Sequence, residues 1–401
     1  MAGASKFRKH TIRGVAHPFR DVAIVGVHNT AQARQLEGHD NESINFEGAL
    51  GAIADAGVAP PEIDAVIGEF AQELVLALRL GPCTRLPWRL GIPLVLEAAD
   101  LIASGRAKVV LIAAGGAALY RERSAVAPWA RPSHELVVGY GLFTAAEFAL
   151  MARRHMLVHG TTPEQLATVA ATIRNNGHVN PEAVYHGRGP FAPGDILESR
   201  MVADPFHLLD CAMTSEGGCG LVLAGADRAA DLAHDPVWIL GGTSESYGPA
   251  YQVAPVWDMA GGRSDVPAGY VGRTAAQLAF RMGGLGPDDV DVAELYDPFS
   301  FEIIRQLEAF GFCEDGEGGA FVADGNIAPD GRLPVTTDGG TMSFSHPGVN
   351  AQQLQRVIRG VQQLRGTCPT GQVGGAEVAL CSNGGSGALF TDVLLLGRDR
   401  P

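Results

Sequence analysis

The sequence predicts an α/β protein with two duplicated halves, packed as a layered α/β/α sandwich with a lid insertion in the first half. Three observations support this fold class. Strand patterns alternate with amphipathic helix patterns along most of the chain. Two segments of the first half recur in the same order in the second half. A third recurring segment is displaced by a long stretch of chain in the first half only.

The first two repeated segments each follow a helix pattern. Residues 57–66 (GVAPPEIDAV) match residues 284–293 (GLGPDDVDVA), and in both copies a glycine ends the helix, a proline begins a turn and a strand follows. Residues 107–116 (AKVVLIAAGG) match residues 376–385 (AEVALCSNGG), which predicts a second strand in each half. Two matches in the same order indicate an internal duplication.

The third repeated segment locates the insertion. Residues 384–390 (GGSGALF) continue directly from their strand through a glycine-rich turn, whereas the matching residues 217–223 (GGCGLVL) come much later than theirs. The first half therefore carries an insertion at about residues 119–214. Long insertions between core strands commonly form lids and specificity loops.

Within the insertion, the sequence predicts helices over residues 143–155 and 163–175, the second capped by Thr161 or Thr162. An irregular loop is expected between residues 180 and 193, which are rich in proline, glycine and histidine. Because strands and helices alternate in both halves, we expect the sheet to be mostly parallel.

The predicted domain organisation has three parts. Residues 1–20 form a basic N-terminal arm, residues 21–235 form the first half with its insertion, and residues 236–401 form the second half. A chain of 401 residues is long enough to bury such a core without disulfide bonds.

Composition excludes several classes of function. The net charge of −14 disfavours nucleic-acid binding, and no apolar stretch approaches the roughly 20 residues of a membrane helix. Six scattered cysteines without a CxxC pair argue against a zinc cluster and indicate a cytoplasmic protein. The only lysines are Lys6, Lys9 and Lys108, which disfavours Schiff-base chemistry. No Rossmann, P-loop, GxSxG or HExxH motif is present.

Two glycine-rich turns of the second half are candidate site segments, residues 338–348 (DGGTMSFSHPG) and 381–387 (CSNGGSG). Such turns let the backbone approach a ligand closely, although most of them are only tight turns. His346 lies on a turn, where it is either an acid/base group or a loop histidine that satisfies backbone groups. The Cys381 thiol at its strand end is a nucleophile, an acid or inert.

The third candidate segment, residues 294–299 (ELYDPF), follows a predicted strand and leads into a helix over residues 301–310. Side chains at the carboxyl end of a parallel strand lie where ligands bind in α/β proteins. The Tyr296 phenol there either donates a hydrogen bond or acts as a base, or is a half-buried aromatic with its hydroxyl bonded to the backbone.

Taken with the duplicated halves and the insertion, the motifs SHPG at 345–348 and CxxGGxG at 381–387 resemble those of the thiolase superfamily, in its sterol-carrier or lipid-transfer-protein branch. The resemblance covers residues 21–397. It implies that His346 activates a thioester carbonyl and that Cys381 is an acid and base at the α-carbon. It also implies a homodimer, a lid over an acyl-CoA channel and an oxyanion donor at Tyr296.

The sequence departs from the thiolase pattern at the nucleophilic cysteine. Trp88 occupies that position, and Cys83 would reach it only through a five-residue shift. A thiolase body without this cysteine is similar to the steroid side-chain aldolases, which cleave β-hydroxyacyl-CoA by a retro-aldol reaction in complex with a small OB-fold and zinc-ribbon partner. The resemblance therefore implies an acyl-CoA substrate, no further cofactor or metal, and a heterotetramer with that partner.

The resemblance also assigns the site residues. Catalytic roles fall on Tyr296, Asp297, His346 and Cys381. Substrate contacts fall on Trp88, Gly340, Ser345, Asn383 and Gly384. Two alternatives stay open, an acyl-CoA acyltransferase or thiolase that acylates a cysteine, and a non-catalytic protein that only binds acyl-CoA.

Overall fold

The computed structural model describes residues 18–86, 91–118, 144–246, 271–348, 351–384 and 390–401. Most of the predicted N-terminal arm, Trp88 and residues 119–143 of the insertion lie outside these described residues. None of the helices in the described ranges is both long and apolar enough to cross a lipid bilayer.

The described strands form a nine-stranded sheet and a small hairpin. The sheet order is β3-β2-β4-β7-β1-β8-β11-β10-β9, and β5 pairs with β6. The strands are β1 (Val22–Asn29), β2 (Ala65–Ile67), β3 (Thr84–Leu86), β4 (Val109–Gly116), β5 (Met201–Ala203), β6 (Phe206–His207), β7 (Gly217–Gly225), β8 (Val237–Ser246), β9 (Val292–Glu294), β10 (Val378–Gly384) and β11 (Phe390–Gly397).

Helices cover both faces of the sheet. They are α1 (Asn41–Ala56), α2 (Ala71–Ala77), α3 (Ile92–Ala103), α4 (Thr144–His159), α5 (Pro163–Val179), α6 (Pro193–Glu198), α7 (Ala226–Ala229), α8 (Arg273–Gly283), α9 (Ser300–Ala309), α10 (Gly318–Ala323) and α11 (Ala351–Arg365). The helices α3 and α11 pack on one face, while α1, α5, α8 and α9 contribute to the apolar cluster on the other.

The structure confirms the predicted duplication. Helix α1 ends at Gly57 with φ of 69°, and α8 ends at Gly284 with φ of 64°, left-handed conformations that suit glycine. Each glycine is followed by a 3₁₀ turn and a short strand, β2 or β9. The strand β4 pairs with β7 in the first half as β10 pairs with β11 in the second. The two halves join where β1 pairs with β8.

The prediction of a mostly parallel sheet is wrong. Strand pairs β2–β3, β2–β4 and β9–β10 are parallel, whereas β1–β7, β1–β8, β4–β7, β8–β11 and β10–β11 are antiparallel. For β10 and β11 the reason is the short connection between them. Only residues 385–389 join these two strands, and a parallel pairing would need a crossover of a dozen or more residues. The strands β4 and β7 are antiparallel although the insertion separates them, and the alternation of strands and helices does not predict this direction.

The described part of the insertion is packed against the body of the protein. Its two predicted helices are confirmed as α4 and α5, and Thr162 caps α5 by accepting from the Gln165 N–H at 3.3 Å. On α4, the buried His155 ring lies 2.8 Å from the Thr161 hydroxyl and 3.0 Å from the Glu308 carboxylate of α9. These contacts fix α4 against the helix that follows the ELYDPF segment.

Candidate active site

The ELYDPF segment and the glycine-rich turn at 338–348 meet at Asp297. Its fully buried carboxylate accepts from the N–H groups of Thr341 at 2.7 Å and Met342 at 3.1 Å, at the start of the helical turn Gly340–Phe344. Burial raises the pKa of Asp297 to about 7, although these bonds oppose the shift. Asp297 therefore joins the two predicted site segments.

Gly340 is needed for this junction. Its φ is 57°, and a Cβ at this position would overlap the Asp297 carboxylate. Its N–H donates to Asp338 at 2.8 Å. The structure thus places Gly340 in contact with Asp297 inside the protein, so the substrate contact predicted for Gly340 stays a prediction without support from this geometry.

A buried ion pair supports the same turn. Both terminal nitrogens of Arg356, on α11, donate to the Asp338 carboxylate at 2.7 Å, and Glu294 lies 3.7 Å from Arg356. Burial raises the pKa of Asp338, but the charges of Arg356 and Arg359 and the hydrogen bonds from Arg356 and Gly340 together outweigh burial, so that the pKa lies below its ordinary value. For Glu294, burial dominates and raises the pKa to about 7.

His346 is held by the insertion. Its Nδ1 lies 2.7 Å from the carbonyl oxygen of Met213, and its backbone N–H donates to the Ser215 hydroxyl at 2.7 Å. Because a carbonyl can only accept, Nδ1 carries the proton and the lone pair lies on Nε2. Burial lowers the pKa of the half-buried His346, although the bond to Met213 opposes this. The imidazole is therefore neutral near pH 7.

Ser345 is an interior residue. It is fully buried, and its hydroxyl lies 2.5 Å from the Gln32 amide oxygen and 3.2 Å from the Ser215 hydroxyl. These bonds tie the turn to the first half of the chain. The predicted substrate contact of Ser345 is therefore not supported by its position.

Tyr296 lies just beyond the end of β9 and is 8% exposed. Its backbone N–H donates to the Ser382 hydroxyl at 3.2 Å, and its carbonyl accepts from the Gln306 amide at 2.7 Å. The residue is thus fixed on both sides next to Asp297. The structure brings Tyr296, Asp297 and the segment that carries His346 together.

The start of α3 meets the end of β10. The Asn383 amide donates to the Gln353 amide oxygen at 3.0 Å, and the Gln353 amide donates to the Gly384 carbonyl at 3.1 Å. At Gly91, which precedes α3, a Cβ would overlap both the Gln353 and Asn383 amides. The predicted substrate-binding residues Asn383 and Gly384 therefore lie at the start of the helix where thiolases carry their nucleophile.

Cys381 lies two residues before Asn383 on β10, and its side chain lies against α11. It is fully buried in the apolar cluster between the sheet and α11, where a Cβ on Gly360 would lie 2.6 Å from its sulfur. Burial raises the pKa of the thiol well above its ordinary value. Side chains alternate along β10, so Leu380 and Ser382 lie on the opposite face of the strand from Cys381. Because Ser382 is the residue that contacts Tyr296, the geometry gives no support to the acid/base role predicted for Cys381.

The half-buried Cys83 is not at the start of α3 either. It immediately precedes β3, and this strand separates it from Gly91 and the helix. The five-residue shift that would make Cys83 the nucleophile is therefore inconsistent with the described structure.

Sequence reasoning missed four buried polar residues of this region, Gln306, Gln353, Arg356 and Asp392. Of these, only Asp392 has a recognisable signal, because it interrupts the otherwise apolar end of the chain FTDVLLL. It lies opposite Asn383 in the β10–β11 ladder, and burial raises its pKa to about 6. Within the described ranges, no three His, Cys, Asp or Glu side chains group closely enough to hold a metal ion.

Comparisons with known proteins identify the family of the chain. Residues 263–398 match the family described as thiolase C-terminal domain-like. The chain is 32% identical to an acetyl-CoA acetyltransferase of Methanothermobacter thermautotrophicus, over 92% of this chain and 97% of the relative. It is also 32% identical to a steroid side-chain-cleaving aldolase of Thermomonospora curvata, over 94% of this chain and 98% of the relative.

A solved structure described as Ltp2-ChsH2(DUF35) aldolase superimposes on the chain with a TM-score of 0.84. The two are 30% identical, and the alignment covers 95% of this chain and 98% of the other. Sequence and fold therefore agree over nearly the whole length of the chain.

Proposed function

The chain belongs to the thiolase superfamily, and we propose that it is a carbon–carbon lyase that cleaves a β-hydroxyacyl-CoA by a retro-aldol reaction. The substrate carries a steroid or related side chain, and the products are a ketone or aldehyde and a shortened acyl-CoA. One observation carries the proposal. Residues 84–91, from β3 to the start of α3, contain Trp88 and no cysteine, so the acyl-enzyme of a thiolase has no thiol there.

The retro-aldol reaction needs a base and an oxyanion site. The base takes the proton of the β-hydroxyl, the O–H electron pair becomes the new C=O bond, and the electrons of the Cα–Cβ bond form the thioester enolate. A proton then adds to Cα. His346 suits the base, because its neutral Nε2 carries the lone pair.

Tyr296 suits the oxyanion donor, and each such donor contributes about 3 kcal/mol to transition-state stabilisation. Asp297 supports both residues by joining their segments. The acyl group of the substrate is proposed to bind near the start of α3, in contact with Asn383, Gly384 and Trp88. Trp88 stays a prediction from sequence.

An acyltransferase or thiolase is the second candidate, and the identity of 32% to an acetyl-CoA acetyltransferase favours it. That reaction requires an acylated cysteine. Acylation of a cysteine is disfavoured, because Cys381 is buried and Cys83 lies before β3. A non-catalytic acyl-CoA-binding protein is the third, and the fixed Nδ1 tautomer of His346 weighs against it.

Product analysis tests the proposal. A panel of β-hydroxyacyl-CoA substrates with steroid, terpenoid and short acyl chains is incubated with the protein, and products are identified by mass spectrometry. We expect a ketone or aldehyde together with a shortened acyl-CoA. Tyr296→Phe and His346→Ala should each abolish cleavage without unfolding the protein, and full activity in both variants would contradict the site assignment.

We also propose a homodimer and a heterotetramer with a small OB-fold and zinc-ribbon partner. The edge position of β3, with Thr84 and Arg85 exposed, supports a contact between two copies, and the similar solved structure is named for two components. Light scattering of the protein alone and with such a partner tests both states. The predicted cytoplasmic location stays a prediction.

A further inference from the structure

Tyr296 has both of its backbone polar groups bonded by buried side chains from distant parts of the chain. We propose that Gln306 and Ser382 are positioning residues, which hold the Tyr296 backbone so that its phenol keeps one orientation toward the substrate. The proposal rests on the proposed role of Tyr296 and adds to it the two residues through which the protein sets that role.

Four groups form a closed ring of hydrogen bonds. The Tyr296 N–H donates to the Ser382 hydroxyl at 3.2 Å, and that hydroxyl donates to the amide oxygen of Gln306. The Gln306 amide nitrogen then donates to the Tyr296 carbonyl at 2.7 Å and, with its second hydrogen, to the Glu302 carbonyl at 3.0 Å. Ser382 and Gln306 are 0% and 1% exposed, so the ring is shielded from water.

The direction of every bond in the ring is determined. A backbone N–H can only donate, so the Ser382 oxygen accepts from Tyr296 and must give its own proton to Gln306. The Gln306 amide then has its nitrogen, not its oxygen, toward the Tyr296 carbonyl. Bonds that share one direction polarise each other, and in a dry interior they hold a single geometry.

The ring replaces the sheet ladder, which stops short of Tyr296. The last described pair between β9 and β10 is Glu294 with Cys381, and Tyr296 lies two residues beyond it. Without ladder bonds, a backbone N–H and C=O at this depth would be costly to leave unpaired. Ser382 extends the attachment to β10, and Gln306 attaches the same residue to α9. Tyr296 is thereby fixed to two rigid elements.

The consequence is kinetic. Displacing a catalytic group by about 1 Å can cost on the order of 100-fold in rate, even when the altered residue does not touch the substrate. The ring has three hydrogen bonds. Gln306→Leu removes the bonds to Ser382 and to the Tyr296 carbonyl at nearly constant volume, and Ser382→Ala removes the bonds to Gln306 and to the Tyr296 N–H. Since the same ring is broken in each case, the double variant should lose little more than the worse single variant.

Steady-state kinetics of the full-length protein with its β-hydroxyacyl-CoA test the proposal. We expect kcat to fall at least tenfold in Gln306→Leu and Ser382→Ala with KM changed less than threefold, and Ser382→Thr to recover most of kcat. Asn45→Leu is the matched control. Asn45 lies on α1 and is 1% exposed, and its amide, like that of Gln306, donates to two backbone carbonyls, those of Asn41 at 2.7 Å and Gly115 at 3.2 Å. The variant should therefore lower the melting temperature but not kcat.

A second readout does not depend on activity. 3-Fluorotyrosine at position 296 should give one ¹⁹F resonance in the otherwise wild-type protein and a shifted or multiple resonance in Gln306→Leu, but not in Asn45→Leu. Unchanged kcat and an unchanged resonance in both ring variants would overturn the positioning role. If Tyr296→Phe stays active while the resonance of the Gln306→Leu variant shifts, the hydrogen-bonded ring positions Tyr296 as proposed, but the catalytic role proposed for Tyr296 is wrong.

Discussion

Helices α3 and α11 occupy equivalent places in the two halves and pack on the same face of the sheet, but they differ in the polar side chains that they bury. The buried residues of α3 are apolar, among them Leu94, Val95 and Leu101. The helix α11 buries six long polar side chains as well as its apolar ones. These are Gln352, Gln353, Gln355, Arg356, Arg359 and Gln363.

The two buried arginines of α11 each have a partner in the segment that leads to the His346 turn. Arg356 is buried because Asp338 and Glu294 lie against it, and Arg359 because Thr337 accepts from it at 2.8 Å. The helix α11 therefore holds the turn that carries His346 by polar contacts. The helix α3 provides an apolar wall, and Gly91 at its start packs against Gln353 and Asn383.

The largest expected effect comes from Arg356→Met. The variant leaves the Asp338 carboxylate buried without its ion pair, which should lower the free energy of unfolding at pH 7 by about 3–5 kcal/mol. The loss should shrink toward pH 5, because Asp338 then takes up a proton more readily than in the wild type. Urea denaturation at both pH values measures this.

Leu94→Ala on α3 is the matched change in the apolar helix. It should cost about 2–5 kcal/mol by leaving a cavity, equally at both pH values. If the two variants show the same dependence on pH, the contrast between the polar and the apolar helix has no energetic basis.

The next effect is the pH dependence of wild-type stability. Burial raises the pKa of Glu294 and of Asp297 to about 7, so the folded state binds more protons than the unfolded state between their ordinary values and 7. The free energy of unfolding should therefore fall as pH rises through this window and level off above it. Glu294 alone should account for a fall of up to about 3 kcal/mol.

Asp297→Asn identifies the contribution of one group. The variant should show a smaller fall in stability between pH 4.5 and about 7 than the wild type, because position 297 no longer titrates. Denaturation curves at four pH values in this range measure both slopes, and equal slopes would show that Asp297 does not titrate there.

Much of the fold could be predicted because its signals are local. Gly57 and Gly284 mark the same helix end in both halves, and Thr162 begins α5 as its type indicates. The strand directions were mispredicted, because alternation of strands and helices does not report that β11 returns directly beside β10. The segments that carry Tyr296 and His346, which motif resemblance singled out, meet at Asp297 in the structure, and their catalytic roles stay predictions.

Other parts of the site depend on contacts that no local pattern reports. Ser382 bonds Tyr296 across 86 residues, and Arg174 of the insertion donates to the Met342 carbonyl across 168. The face on which Cys381 lies depends on the register of β10, since a shift of one residue would reverse it.

A smaller effect concerns the pH dependence of activity. Because burial lowers the pKa of His346, the imidazole stays neutral to a lower pH than an exposed histidine. In the proposed role as base, kcat/KM should fall only below pH 6.5, the ordinary value for histidine. A pH profile of kcat/KM checks this, and a fall that begins well above 7 would exclude His346 as the base.

The smallest expected effect is that of Cys381→Ala. Since the thiol packs against Gly360 in the apolar cluster, its loss should cost about 1 kcal/mol of stability and change kcat less than threefold. Parallel thermal melts and rate assays test this. A hundredfold loss of kcat with unchanged stability would restore Cys381 to the catalytic residues.

Carbon–carbon cleavage in this protein should proceed without an acyl-enzyme, and the balance of free coenzyme A tests this most directly. Retro-aldol cleavage releases one ketone or aldehyde and one shortened acyl-CoA and consumes no free coenzyme A. Thiolysis consumes one coenzyme A per cleavage and gives two acyl-CoA products. Quantifying all species by mass spectrometry should show full turnover with no free coenzyme A added. Turnover that requires free coenzyme A, with an acyl adduct on a cysteine, would contradict the account.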